Sequence, residues 1–282
     1  MHFACVATEM KLYLPYLQAL LPDLVVLGLN TPWEGFITKY KLLQVYLSTL
    51  KDEDIICFID AYDVLPTQQV KQLQANYEAF EVQHPDVKMI VGYDRVDNFI
   101  HEYLSREIFG TVNAPGQSQM RLNSGQFIGR VKNIREIITY ILENTAYFLT
   151  DQVELTKYAN QMPGEVYIDA EQYFFYVKSK PLQQILPPAN KRGCAFVHAN
   201  GNGFLDTFLA EEHGIKVGYE VWFSILLANL MGVVRKIAVY DLVYAKKYIK
   251  IFLDQLAAKF SAAATHARGP AALAAATLGS SV

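Results

Sequence analysis

An α/β sheet flanked by helices, followed by a helix-only segment, is the fold class the sequence predicts, and three observations carry it. Short apolar runs alternate with stretches of helical spacing along roughly the first two hundred residues, the pattern of strands and their covering helices. The 282 residues are 52% hydrophobic, enough to bury one large core, or a core with a smaller appendage. From Leu205 onward the spacing is helical only.

Taken in order, residues 3–7 and 24–29 are short apolar runs that read as strands, and residues 40–50 carry the first sustained helical spacing. The run 55–59 is a further strand, and Pro66 punctuates it before helical spacing over 68–82. After Pro85 come a strand at 87–91, a helix at 99–109 and a short strand at 126–128. Helical spacing over 134–148 and 152–161 precedes strands at 166–168 and 195–197. The expected organisation is an α/β domain over residues 1–204, a helical appendage over 205–260 and a mobile tail over 261–282. The tail is biased to Ala, Gly and Ser and has no apolar period.

Composition removes several classes of function. A formal net charge of -3 gives no basic surface of the kind nucleic acid requires. Cys5, Cys57 and Cys194 form no C-x-x-C pair and lie in apolar runs, where cysteine acts as a small hydrophobe. The opening MHFACVATEM has neither a charged leader nor a continuous apolar stretch, so no secretory signal and a cytosol-facing location are expected. The apolar run 221–234 falls short of the about 17–25 residues that span a bilayer. The next segment, 240–260, is amphipathic, with Lys246, Lys247 and Lys250 beside apolar positions. That pattern suits peripheral membrane contact, packing on its own domain, or a second subunit of a homo-oligomer.

Four segments carry chemistry. In DEDIICFIDAYDVLP an apolar strand runs into Asp60 and Asp63, and ligands of open α/β sheets collect beyond the carboxyl ends of strands. If the chain turns after the strand, both acids reach one side, and two close carboxylates repel unless a cation lies between them. Oxygen ligands favour Mg2+ or Mn2+ over Zn2+. A capped turn with one solvated acid fits the same spacing. VHANGNG ends a buried strand in His198 and continues into Asn200 and Gly201, a loop suited to close approach by phosphate. His198 is a third candidate ligand, or a hydrogen-bonded core histidine. RLNSGQFIG places Asn123, Ser124 and Gly125 before a short strand, as a ligand-admitting turn or an ordinary loop. LTDQVELTKY puts Thr150, Asp151 and Gln152 at a helix start, with Thr150 as a candidate N-cap.

Together and in order, VATEM, VLGLNTPWEG, FIDAYDV, LNSGQFIG, the Asp151-Gln152 pair, YIDAEQYFF and VHANGNG resemble the glycosyltransferase domain of the procollagen lysyl hydroxylases and their viral relatives, over about residues 3–204. The resemblance implies a GT-A, Rossmann-like fold that takes UDP-sugar with Mn2+, or Mg2+, and transfers a hexose. In that family the acceptor is hydroxylysine or galactosyl-hydroxylysine of collagen-like chains. Carried over by position, Asp60, Asp63 and His198 would ligate the metal, Thr8 and Tyr62 would contact uridine, and Lys39 (or Lys41) the donor phosphates. Asn123 and Ser124 would line the donor site, Asn200 and Gly201 would close over the diphosphate, and Asp151 would act at the sugar. Two departures stand out. The family's acidic run is reduced here to Asp151, and its lysine after the H-x-N-G loop is absent near Phe204.

The expected activity is therefore metal-dependent transfer of a hexose, glucose first, from a UDP-sugar to a hydroxyl of a protein or glycan acceptor, with retention. The competing expectations are a UDP-galactose-dependent transferase acting on glycan or lipid, and a UDP-sugar-binding module whose catalysis is impaired.

Overall fold

The computed structural model describes residues 1–94, 106, 109–114, 116–145, 148, 150–178, 194–200, 204–218, 223 and 227. The chain divides into two units, Met1–Leu226 and Leu227–Val282. All of the second except Leu227, and with it most of the expected appendage and the tail, lies outside the described residues.

The first unit opens β1 (His2–Val6), α1 (Leu14–Leu20), β2 (Leu24–Leu27), α2 (Ile37–Leu47), β3 (Ile55–Ile59) and β4 (Val64–Pro66). A 3-10 turn, Gln68–Gln72, leads into α3 (Leu73–Gln83) and β5 (Met89–Tyr93). Then come β6 (Val112–Ala114), β7 (Gln117–Met120), β8 (Leu122–Arg130), α4 (Val131–Asn144) and α5 (Asp151–Gln161). The elements β9 (Val166–Asp169), β10 (Phe175–Val177), β11 (Phe196–His198) and α6 (Asp206–His213) complete it. The expected helix at 99–109 falls almost wholly outside the described residues.

Six strands form a mixed sheet in the order β2-β1-β3-β8-β5-β9. β8 runs antiparallel to both of its neighbours, while the pairs β1–β2, β1–β3 and β5–β9 are parallel. A second sheet has the order β10-β11-β4, and β6 with β7 forms a hairpin. The central strand β3 is buried along its whole length, as expected of a strand covered on both faces. Its residues alternate between two cores. Ile55, Cys57 and Ile59 face a cluster shared with α1, the small sheet and Phe208 of α6. Ile56 and Phe58 face a second cluster with α2, α4 and α5. In α4, Val131, Ile134, Ile137, Ile138 and Ile141 form one buried stripe at helical spacing.

The mixed α/β class follows the sequence, but several bounds do not. The short strand expected at 126–128 is a nine-residue strand that begins at Leu122. Its polar residues Asn123 and Ser124 are buried, so they line the interior and do not mark a loop. The register between β5 and β8 jumps at Val91/Gly92, a bulge that re-aims residues 124–126. β4 was hidden by Pro66, read above as punctuation. It is an edge strand of the small sheet, where proline is tolerated.

Candidate functional site

The carboxyl end of β3 delivers Asp60, and three residues later Asp63 precedes β4. Because β3 belongs to the large sheet and β4 to the small one, the chain must turn between them. That turn brings both acids to one gap. β11 pairs antiparallel with β4, with His198 opposite Val64, and the Ala199 N–H donates to the Asp63 carbonyl at 2.8 Å. Pairing register, not sequence proximity, thus carries His198 to Asp63. His198 Nε2 lies 3.3 Å from Asp63 Oδ1 and 4.0 Å from Asp60 Oδ2. One ligand atom from each of Asp60, Asp63 and His198 lies within 4.8 Å of the others, and no other such group of three exists among the described residues.

The tautomer of His198 follows from its other nitrogen. Nδ1 is 3.1 Å from Asn123 Oδ1, and the same oxygen accepts from the Gly125 N–H at 3.0 Å. An oxygen that accepts from an amide presents a lone pair to the ring, so Nδ1 carries a proton, and Nε2 is the nitrogen that faces the two acids and that an ion would take. Burial draws the His198 pKa down, but Asp63, by charge and hydrogen bond, and Asp60 outweigh it, so the pKa stands above the ordinary histidine value. Two carboxylates and one oriented imidazole make a donor set that fits a divalent ion. The carboxylate oxygens suit a hard divalent cation, and the imidazole nitrogen is a donor that transition metals also accept.

Gly125 makes this convergence possible. A Cβ there would sit 2.5 Å from both Asp60 Oδ2 and His198 Cε1, while the Gly125 carbonyl accepts from the Asp60 N–H at 2.7 Å. Ser124 contributes its backbone, whose carbonyl accepts from Lys39 Nζ at 3.0 Å.

Lys39, on α2, also donates to Asp60 Oδ1 at 2.9 Å and to Asp151 Oδ2 at 2.6 Å. Burial alone would favour the neutral amine, but Asp151 and Asp60 more than reverse this and raise its pKa above the ordinary lysine value. Asp151 opens α5. Thr150 caps the helix, its hydroxyl accepting from the Val153 N–H at 3.1 Å, which agrees with the capping role read from the sequence. Asp151 Oδ1 accepts from the Gln152 N–H at 3.0 Å, and the helix N-terminus favours its negative charge.

Tyr62 and Thr8 are also together. The Tyr62 hydroxyl accepts from the N–H groups of Thr8 and Glu9, each at 3.2 Å, and donates to the Glu9 carbonyl at 3.1 Å. Asn200 Nδ2 donates to Asp94 Oδ1 at 3.1 Å. Gly201 lies outside the described residues.

Asp94 is the residue that sequence reasoning missed. Buried just beyond the carboxyl end of β5, it meets Asn200, Gln152 Nε2 at 3.5 Å and Arg121 Nη1 at 3.7 Å. It therefore joins the start of α5 to the chain leaving β11. The strand-end rule that singled out Asp60 applies equally to Asp94 and could have found it.

A family model described as the PLOD GT domain matches residues 10–172, more than half of the chain. The match includes Lys39, Asp60, Asp63, Asn123 and Asp151 and ends before His198 and Asn200. No curated protein matches.

Proposed function

The chain belongs to the PLOD GT domain family and is a glycosyltransferase of Rossmann-like, GT-A character, and from that premise we propose that it transfers a hexose, glucose first, from a UDP-sugar to an acceptor hydroxyl with Mn2+ as cofactor. The acceptor class we favour is hydroxylysine or galactosyl-hydroxylysine of a collagen-like chain, with the anomeric configuration retained. The observation that carries the proposal is the meeting of Asp60, Asp63 and His198 at the sheet edge of a domain matched to this family.

Asp60, Asp63 and His198 would hold the ion, which supplies positive charge to the diphosphate leaving group. Tyr62, pinned to the Thr8–Glu9 backbone, offers an oriented ring and edge for uridine. By the resemblance Asn200 would face the diphosphate together with Gly201, which lies outside the described residues, and Lys39 adds positive charge beside Asp60. The Asp151 carboxylate acts at the sugar, where cationic character develops at the anomeric carbon and the acceptor hydroxyl must be oriented.

Calorimetric titration of UDP, with Mn2+ and with chelator, tests the proposal. UDP should bind only with the ion. Asp63→Ala and His198→Ala should each weaken Mn2+-dependent binding by at least about tenfold, the scale on which even outer-shell partners matter. UDP binding that ignores both the ion and the substitutions would remove the proposal. Turnover of a UDP-glucose and UDP-galactose panel on collagen-like peptide, glycan and lipid acceptors then separates the transferase readings, and absence of turnover on all of them marks a binding module.

A further inference from the structure

A buried ammonium keeps its charge only where oxygen acceptors replace its lost water. Lys39 is 4% exposed, and its three N–H donors have three oxygens within 3.0 Å, from Asp151, Asp60 and Ser124. Its capacity is filled before any ligand arrives. The two carboxylates belong to different tasks. Asp60 gives Lys39 its Oδ1 and turns Oδ2 toward His198 Nε2, whereas Asp151 gives Lys39 its Oδ2 and receives the Gln152 N–H on Oδ1. One cation therefore bridges a candidate metal ligand and the carboxylate assigned to the sugar.

We propose that Lys39 is a positioning residue that couples the metal site to Asp151, restraining ion affinity before the donor binds and holding the Asp151 carboxylate in place. This rests on reading Asp60, Asp63 and His198 as metal ligands. Two effects of removing Lys39 oppose each other at the ion. Freeing the Asp60 side chain weakens ligation by a factor of a few, the worth of one short side chain's rotamer restraint. Removing a unit positive charge one carboxylate away from a divalent ion strengthens it by about tenfold or more, even at the screening typical near a protein surface. The second effect wins. Metal affinity and turnover should thus move in opposite directions, which neither a phosphate contact nor a purely structural lysine would produce.

The test measures Mn2+ binding to the free protein by electron paramagnetic resonance, without UDP, and turnover of UDP-glucose. Lys39→Met should bind Mn2+ at least about tenfold tighter and lose turnover by on the order of 10²-fold. Lys39→Arg should keep Mn2+ affinity near that of the unchanged protein. Because Lys39→Met leaves Asp151 buried and unpaired, Lys39→Met/Asp151→Asn is compared with Asp151→Asn alone, and the same tightening is expected between those two. Unchanged or weaker Mn2+ binding in folded variants, or a loss confined to UDP affinity, overturns the coupling. An unchanged protein that binds no Mn2+ overturns the metal reading and the coupling with it.

Discussion

A single hydrogen atom on Gly125 is what leaves room for Asp60 and His198 to meet, since any Cβ at that position would lie 2.5 Å from atoms of both. Gly125→Ala should therefore act on the site before it acts on the fold. Mn2+ affinity by paramagnetic resonance should fall at least about tenfold, because two ligands are pushed out of place, while overpacking costs about 1–3 kcal/mol in thermal or urea unfolding. Unchanged Mn2+ affinity would mean that the ligands of this site move freely, against the packing described. At this scale much of the site was legible. Asp60, Asp63, His198 and Asp151 are polar residues at the ends of apolar or helical runs, and a charge where a strand stops needs a reason. What Asn123 and Lys39 do was not legible. Asn123 orients the His198 ring and Lys39 joins Asp60 to Asp151, and both are contacts across the chain on which residue spacing is silent.

The elements explain which parts of the fold escaped the sequence. Period-2 and period-3.6 patterns need several residues to register, so the three-residue strands β4 and β10 leave almost no pattern, the equally short β11 shows only as an apolar run, and the polar start of β8 reads as a turn. Register does what pattern cannot, since the pairing of β11 with β4 sets His198 beside the Asp63 end of the turn. A tie between elements can be tested by pH. Arg130, the last residue of β8, donates from Nε to both carboxylate oxygens of Glu81 on α3 at 2.9 and 3.2 Å. These hydrogen bonds hold the Glu81 pKa below its ordinary value despite partial burial. A depressed folded pKa stabilises above the unfolded pKa, and the contribution is lost as pH falls through the folded value. Glu81→Gln should cost about 1 kcal/mol at pH 7, the upper range for a partly exposed pair. In urea unfolding the gap between the two proteins should close toward acid pH. A gap that stays constant with pH would assign the cost to packing.

On the scale of the whole molecule, alternation of apolar runs and helices was enough to give a mixed α/β domain, because covering a sheet with helices is how such alternation buries its apolar faces. The existence of a second, three-stranded sheet was not foreseen, and it is this sheet that completes the site. Asp60 leaves the six-stranded sheet, while Asp63 enters the small sheet and His198 lies within it. An ion held by all three therefore ties one sheet to the other and closes a loop between distant parts of the chain, so its binding energy is also folding energy. At a free Mn2+ concentration of about 100 times its Kd, mass action adds about 2.7 kcal/mol to the folded state. For a domain of this size that corresponds to a rise in Tm of roughly 5–10 °C. The rise should vanish with chelator and in Asp63→Ala. Its size should also follow ion concentration logarithmically, as specific binding to the folded state requires. A Tm that Mn2+ leaves unmoved in the unchanged protein, while paramagnetic resonance reports the ion bound, would mean that the ion sits on groups that unfolding does not separate, and not between the two sheets.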